Sequence, residues 1–97
     1  MTRIEFAPAV AEDFDRIFDH LAHHDAAHAA SRIGEIVHAI DVLQHSPRIG
    51  RPIERDLREL VIGRKSRGYV ALYRYVEPID TVFVLAVRSQ KEAGYAR

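Results

Sequence analysis

Ninety-seven residues, 47% hydrophobic and 29% charged, suit one domain with a modest core, residues 1–97, and do not suit a disordered chain. The absence of cysteine excludes a disulfide framework and a thiolate metal site, and no apolar run approaches a membrane span or follows a basic leader. The formal charge of zero hides a split: residues 1–45 hold three Arg/Lys against eight Asp/Glu, and residues 46–97 hold eleven against six. Such a split points to two faces with different partners, or to two halves that pack on each other. A soluble, cytoplasmic chain with no membrane association is expected.

Ile4 and Phe6 alternate around Glu5, which predicts a short first strand over Arg3–Ala7. Pro8 suits the first turn of a helix, where its missing N–H is not needed. Val10, Phe14, Ile17, Phe18 and Leu21 then form one apolar stripe, with Glu12, Asp13, Asp15, Arg16 and Asp19 opposite it. Asp25 suits the cap of a second helix, whose stripe is Ala29, Ile33, Ile36, Val37, Ile40 and Leu43. Ser46-Pro47 ends that helix, because the residue before proline is pushed out of the helical region. The two helices form a hairpin, and Arg48 to Asp56, with Gly50 and Pro52, reads as a loop into a sheet.

Leu57–Ile62, Gly68–Tyr75 and Thr81–Arg88 read as three antiparallel strands, joined through Gly63–Gly68 and Glu77–Asp80. Leu60 and Ile62, with Val70, Leu72 and Val76, are expected to face the helices. Thr81 to Val87 is apolar on both sides and therefore central. Ser89 to Ala96 reads as a short terminal helical turn. The fold expected is α+β: a short N-terminal strand and a helix hairpin packed on a C-terminal antiparallel meander.

Four groups of residues invite chemistry. His20, His23, His24 and His28 have spacings that suit zinc or nickel, but the turn between the helices cuts the cluster and a solvated hairpin tip is expected, with no metal or cofactor. Arg64, Lys65 and Arg67 make a basic loop able to bind phosphate, or merely a solvated one. Tyr69, Tyr73 and Tyr75 share a strand face and either stack on a partner or are half-buried. Arg88, Lys91 and Tyr95 close the chain with cations and a phenol, a set suited to RNA cleavage or to docking on a protein.

Several segments, in order, resemble the RelE/ParE superfamily of bacterial toxins. They are Phe6-Ala7-Pro8-Ala9, Ser46-Pro47-Arg48-Ile49-Gly50, Arg58-Glu59-Leu60, Gly68-Tyr69 with Tyr73-Arg74, Val84 to Arg88, and Gln90 to Tyr95. The resemblance implies a toxin of a type II toxin-antitoxin system, neutralised by a cognate antitoxin that wraps it. RelE-like members cut mRNA in the ribosome, whereas ParE-like members inhibit DNA gyrase without cutting nucleic acid. Ribonuclease members typically have arginine after the Gly-Tyr pair and lysines on the first meander strand. This chain has Val70 and Leu60-Val61-Ile62 there, and no net positive charge. The departures imply the ParE-like side: a non-enzymatic gyrase inhibitor whose target-binding residues are Arg64, Lys65, Arg67, Arg88, Lys91 and Tyr95. The alternatives are ribosome-dependent mRNA cleavage, with Arg74, Arg88 and Tyr95 as catalytic candidates, and a non-toxic binding module.

Overall fold

Where apolar residues recur every three or four positions the chain coils, and where they alternate it extends. A computed structural model describes residues 1–63 and 68–96. Strand β1 is Arg3–Phe6, helix α1 is Ala9–His24 and helix α2 is Ala29–Ile40, prolonged by a 3-10 turn over Asp41–Gln44. Strands β2 (Arg51–Glu54), β3 (Leu57–Ile62), β4 (Tyr69–Val76) and β5 (Thr81–Ser89) follow. They form one sheet in the order β1-β5-β4-β3-β2, with the two helices packed on it. Among the described residues, no helix is long and apolar enough to cross a membrane.

The helical stripes are where the sequence places them. Val10, Ile17 and Leu21 of α1 are buried with Ala29, Ile36, Ile40 and Leu43, and Phe14 and Ile33 pack at the margin. Each large aliphatic side chain removed from water here stabilises the fold by roughly 1.5–3 kcal/mol. Phe18 and Val37, at the edges of the two stripes, stay 43% and 38% exposed. Asp13 departs from the expected polar face and is wholly buried. Asp25 does not cap α2: a 3-10 turn over Ala26–His28 intervenes, His28 takes the cap position, and the Asp25 carboxylate meets the His28 ring at 2.8 Å instead.

The sheet differs from a simple antiparallel meander in three ways. First, β1 pairs in parallel with β5, from Arg3 opposite Thr81 to Phe6 opposite Val84, so β5 is central and the sheet is mixed. Second, the expected loop over residues 48–56 contains a strand, β2, antiparallel to β3. Pro52 disguises it, but a residue with no N–H is tolerated on an edge strand, and the ladder is irregular between Pro52 and Glu54. Third, Tyr69, Ala71 and Tyr73 face the helices, not Val70 and Leu72. Ladder partners share a face, and Ala71 lies opposite Leu60, Tyr69 opposite Ile62.

A bulge completes the arrangement. Leu72 pairs with Ala86 and Tyr73 with Val84, so Leu85 is skipped. The extra residue shifts the alternation and lets Val82, Val84 and Val87 all join the core under the helices. The tail is no helix: Gln90-Lys91 makes a turn, and an irregular segment carries Tyr95 back over the sheet. Gly63, at φ +80°, enters the first connection in a conformation that suits glycine.

Tyr73 is the largest fully buried side chain, and its hydroxyl oxygen accepts the Gly50 N–H at 2.8 Å. A Cβ on Gly50 would stand 2.6 Å from the Tyr73 ring and 2.9 Å from the Glu59 carbonyl oxygen. Gly50→Ala is therefore expected to cost about 1–3 kcal/mol through overpacking. Tyr73→Phe strands a buried N–H and is expected to cost a similar ~1–3 kcal/mol. Urea denaturation of both variants checks this, and a Gly50→Ala midpoint equal to that of the parent would contradict the close approach.

Candidate functional site

The sheet face turned away from the helices carries the polar residues that the sequence scatters over its second half. Arg88 lies opposite Val70 in the ladder, and Glu59 lies opposite Leu72, which in turn lies opposite Ala86. Val70 and Ala86 are 1% and 3% exposed, giving this face a dry apolar floor. The tail brings the Tyr95 ring to 5.1 Å from the Arg88 guanidinium, a cation–π contact. The Tyr95 hydroxyl donates to Glu59 Oε2 at 2.6 Å, and Arg51 of β2 donates to Glu59 Oε1 at 2.9 Å. Arg88 also donates to the Ser89 and Glu92 carbonyls at 3.2 Å, which holds the turn below it.

These contacts set the protonation states. Burial acts to raise the Glu59 carboxyl, but hydrogen bonds from Tyr95 and Arg51, with the charges of Arg51 and Arg88, overcome it and hold the group below its ordinary value. Burial and the bond to Glu59 push the Tyr95 phenol far above its ordinary value, against the pull of Arg88. The pair is thus fixed as a neutral phenol donating to an anion. The arrangement can present a guanidinium and an aromatic edge to a partner. It has no free base.

The candidate residues do not all meet. Arg88 and Tyr95 are together, joined by Glu59 and Arg51, which the sequence reading missed. The available signal was Glu59 itself, the one acid in the strand Leu57–Ile62. Arg74 lies four residues along β4 from Val70, about 13 Å away at the usual strand rise, and pairs with Asp56 at 2.9 Å. Lys91 is exposed and borders a groove against the helices rather than the Arg88 face. Arg64, Lys65 and Arg67 lie outside the described residues. Tyr73 is core, so the stacking role considered for it is withdrawn; Tyr69 and Tyr75 are partly buried against that core.

At the hairpin tip, the His23 and His24 rings each reach the carbonyl four residues back, at 2.7 and 2.9 Å. Among the described residues, no group of three or more His, Cys, Asp or Glu is placed to hold a metal. Beside β5, past the end of β1, Asp13 accepts the Val87 N–H at 2.9 Å and an Arg16 N–H at 2.9 Å. Arg16 also donates to the Val87 carbonyl at 3.2 Å and to Glu92 at 2.9 Å, and Glu92 accepts the Ser89 N–H at 2.7 Å. This network fixes the root of the tail.

Residues 4–94 match the family model of the ParE toxin of type II toxin-antitoxin systems, parDE. No curated protein matches the sequence significantly. Among solved structures, the chain is similar to one from the chromosomal ParDE system of P. aeruginosa, with TM-score 0.77 and 24% identity over 92% of this chain and 96% of that one. It is also similar to a chain of the intact E. coli RelBE toxin-antitoxin complex, with TM-score 0.68 and 15% identity over 95% and 100%. The isolated E. coli RelE toxin gives TM-score 0.69 and 14% identity over 96% and 88%. The chain belongs to the ParE toxin family, and it is the toxin of a type II toxin-antitoxin system.

The depressed Glu59 carboxyl makes the site sensitive to acid. A carboxyl held below its unfolded value stabilises the fold above that value, and the contribution is lost as pH falls through the folded one. Between neutrality and about pH 4.3 the contribution is expected to persist, then to vanish below. Glu59→Gln is expected to lower stability at pH 7 and to flatten its acid dependence below about pH 4. Denaturation midpoints from pH 2 to pH 7 check this, and parallel curves for parent and variant would contradict it.

Proposed function

We propose that this toxin inhibits DNA gyrase by binding it, without covalent chemistry of its own, and that it acts in the cytoplasm. The observation that carries the reading is the closed Arg88–Tyr95–Glu59 arrangement. Cleavage of RNA by a phenol and a guanidinium needs both turned to the scissile phosphate. Here the phenol is committed to a carboxylate, and its raised pKa makes it a poor base at neutral pH. Glu59 adds a negative charge beside Arg88, which opposes the approach of a phosphate. Val70, where the resemblance to ribonuclease members asks for arginine, is part of the apolar floor.

The same features suit a protein partner. Arg and Tyr on a dry floor are the residue types that anchor protein interfaces. Arg64, Lys65, Arg67 and Lys91 would add electrostatic complementarity and mainly speed association. The cognate antitoxin would supply an amphipathic segment that covers apolar surface beside the helices and sheet, where Phe18, Val42, Ile49 and Ile53 are 41–58% exposed.

Purified toxin is expected to reduce gyrase supercoiling and to leave mRNA intact on translating ribosomes. Arg88→Ala and Tyr95→Ala are each expected to weaken inhibition by about tenfold or more, and Lys91→Ala by less. Unchanged supercoiling together with new mRNA ends at ribosomal A-site codons would overturn the proposal and install the ribonuclease reading.

A further inference from the structure

The turn expected to cut the histidine cluster falls after its third member. Helix α1 runs to His24, so His20, His23 and His24 share one helix and His28 alone is cut off. His20 and His24 stand four residues apart, about one turn, which puts both side chains on one helix face. Their rings stack with centroids 4.2 Å apart and planes 22° from parallel. This is the spacing at which a helix offers two imidazoles to one metal ion.

The nitrogens of the pair are already sorted. His24 Nδ1 lies 2.9 Å from the His20 carbonyl oxygen, which can only accept, so Nδ1 carries the hydrogen and Nε2 keeps its lone pair. Metal-binding histidines are held in the same way, the second nitrogen donating to a carbonyl or carboxylate that fixes tautomer and orientation. A tetrahedral zinc ion with Zn–N near 2.1 Å holds two nitrogens roughly 3.4 Å apart, so the stacked rings meet one ion by a small tilt. The His20 ring is exposed, and the broad torsion about its last bond lets either nitrogen turn to the ion. Asp25 is committed to His28 at 2.8 Å and to Arg32 at 3.7 Å. Among the described residues no third ligand joins the pair, which leaves the other positions to water.

The electrostatics admit a dication. The site lies at the C-terminal end of α1, where the last carbonyls lack helical partners and the helix dipole favours positive charge. Arg16 answers Glu92 and Arg32 answers Asp25, so these four charges cancel in pairs. Lys91 is the like charge left along the hollow that His20 and His24 line together. It is exposed, on a flexible stem that carries its ammonium into solvent. We propose that His20 and His24 form a two-imidazole site for zinc, which completes its shell with water and clamps the last turn of α1. The inference stands apart from the gyrase proposal.

The untagged full chain, labelled with ¹⁵N, is titrated with Zn²⁺ and, separately, with Mg²⁺. The expected result is saturable Zn²⁺ binding with amide shifts centred on His20 to His24, and none with Mg²⁺, which prefers oxygen ligands. His20→Gln and His24→Gln are each expected to weaken Zn²⁺ binding by about tenfold or more, since even outer-shell partners change metal affinity on that scale. His23→Gln and His38→Gln should leave it unchanged, and Lys91→Ala should keep or strengthen it. All five side chains are exposed, so the substitutions leave the fold standing. Excess Zn²⁺ should also raise the denaturation midpoint of the parent and not of His24→Gln, because an ion bound to the folded site adds to stability. Full binding by His20→Gln or His24→Gln, an equal loss in His23→Gln, weaker binding in Lys91→Ala, or shifts confined to other amides would overturn the inference.

Discussion

Strand β1 stops at Phe6, and β5 runs five residues further than the pairing it offers. A central strand with bare N–H and C=O groups along half of one edge would lose free energy for each group left unpaired in the interior. The chain closes this edge with side chains. Asp13 accepts the Val87 N–H, Arg16 donates to the Val87 carbonyl, and Glu92 accepts the Ser89 N–H. Three side chains thus stand where a longer β1 would have been. The energetic logic is that of a buried ion pair: Asp13 is costly to desolvate, and it persists because both of its oxygens are answered.

What this edge fixes is the geometry of everything around it. Asp13 and Arg16 sit one helical turn apart, so α1 is held at one height and one rotation over β5. The apolar stripe of α1 then meets Val84 and Val87, which the bulge at Leu85 has brought to the same side. Glu92 belongs to the tail, and its grip on Ser89 and Arg16 turns the chain back toward the other face. From there Tyr95 reaches Glu59 on β3, two strands away. The same pair joins the oppositely charged halves of the chain with the signs reversed: the cation, Arg16, comes from the acidic half and the acid, Glu92, from the basic half.

The local elements were legible because their signals are local. Stripes at helical spacing marked α1 and α2, and the two-sided apolar run from Thr81 to Val87 marked a central strand. The features that were not legible each depend on a distant partner. Pro52 argued against a strand, and only its edge position beside β3 makes one possible. Val70 and Leu72 looked like the buried side of β4; the register with β3 gave that side to Tyr69, Ala71 and Tyr73. Asp13 stood among acids on a solvated face until β5 supplied a backbone N–H for it. Of the candidate site, Arg88 and Tyr95 were named from the sequence, but Glu59 lies 36 positions before Tyr95, and no spacing rule links them.

If the side chains of Asp13, Arg16 and Glu92 act as the missing strand, the amides they hold should behave like sheet amides. Hydrogen exchange at Val87 measures this directly. In the parent chain its amide should exchange as slowly as those of the β4–β5 ladder, and in Asp13→Ala it should exchange as fast as an open edge while the ladder amides keep their protection. Rapid exchange at Val87 in the parent, or protection undiminished in the variant, would contradict the account.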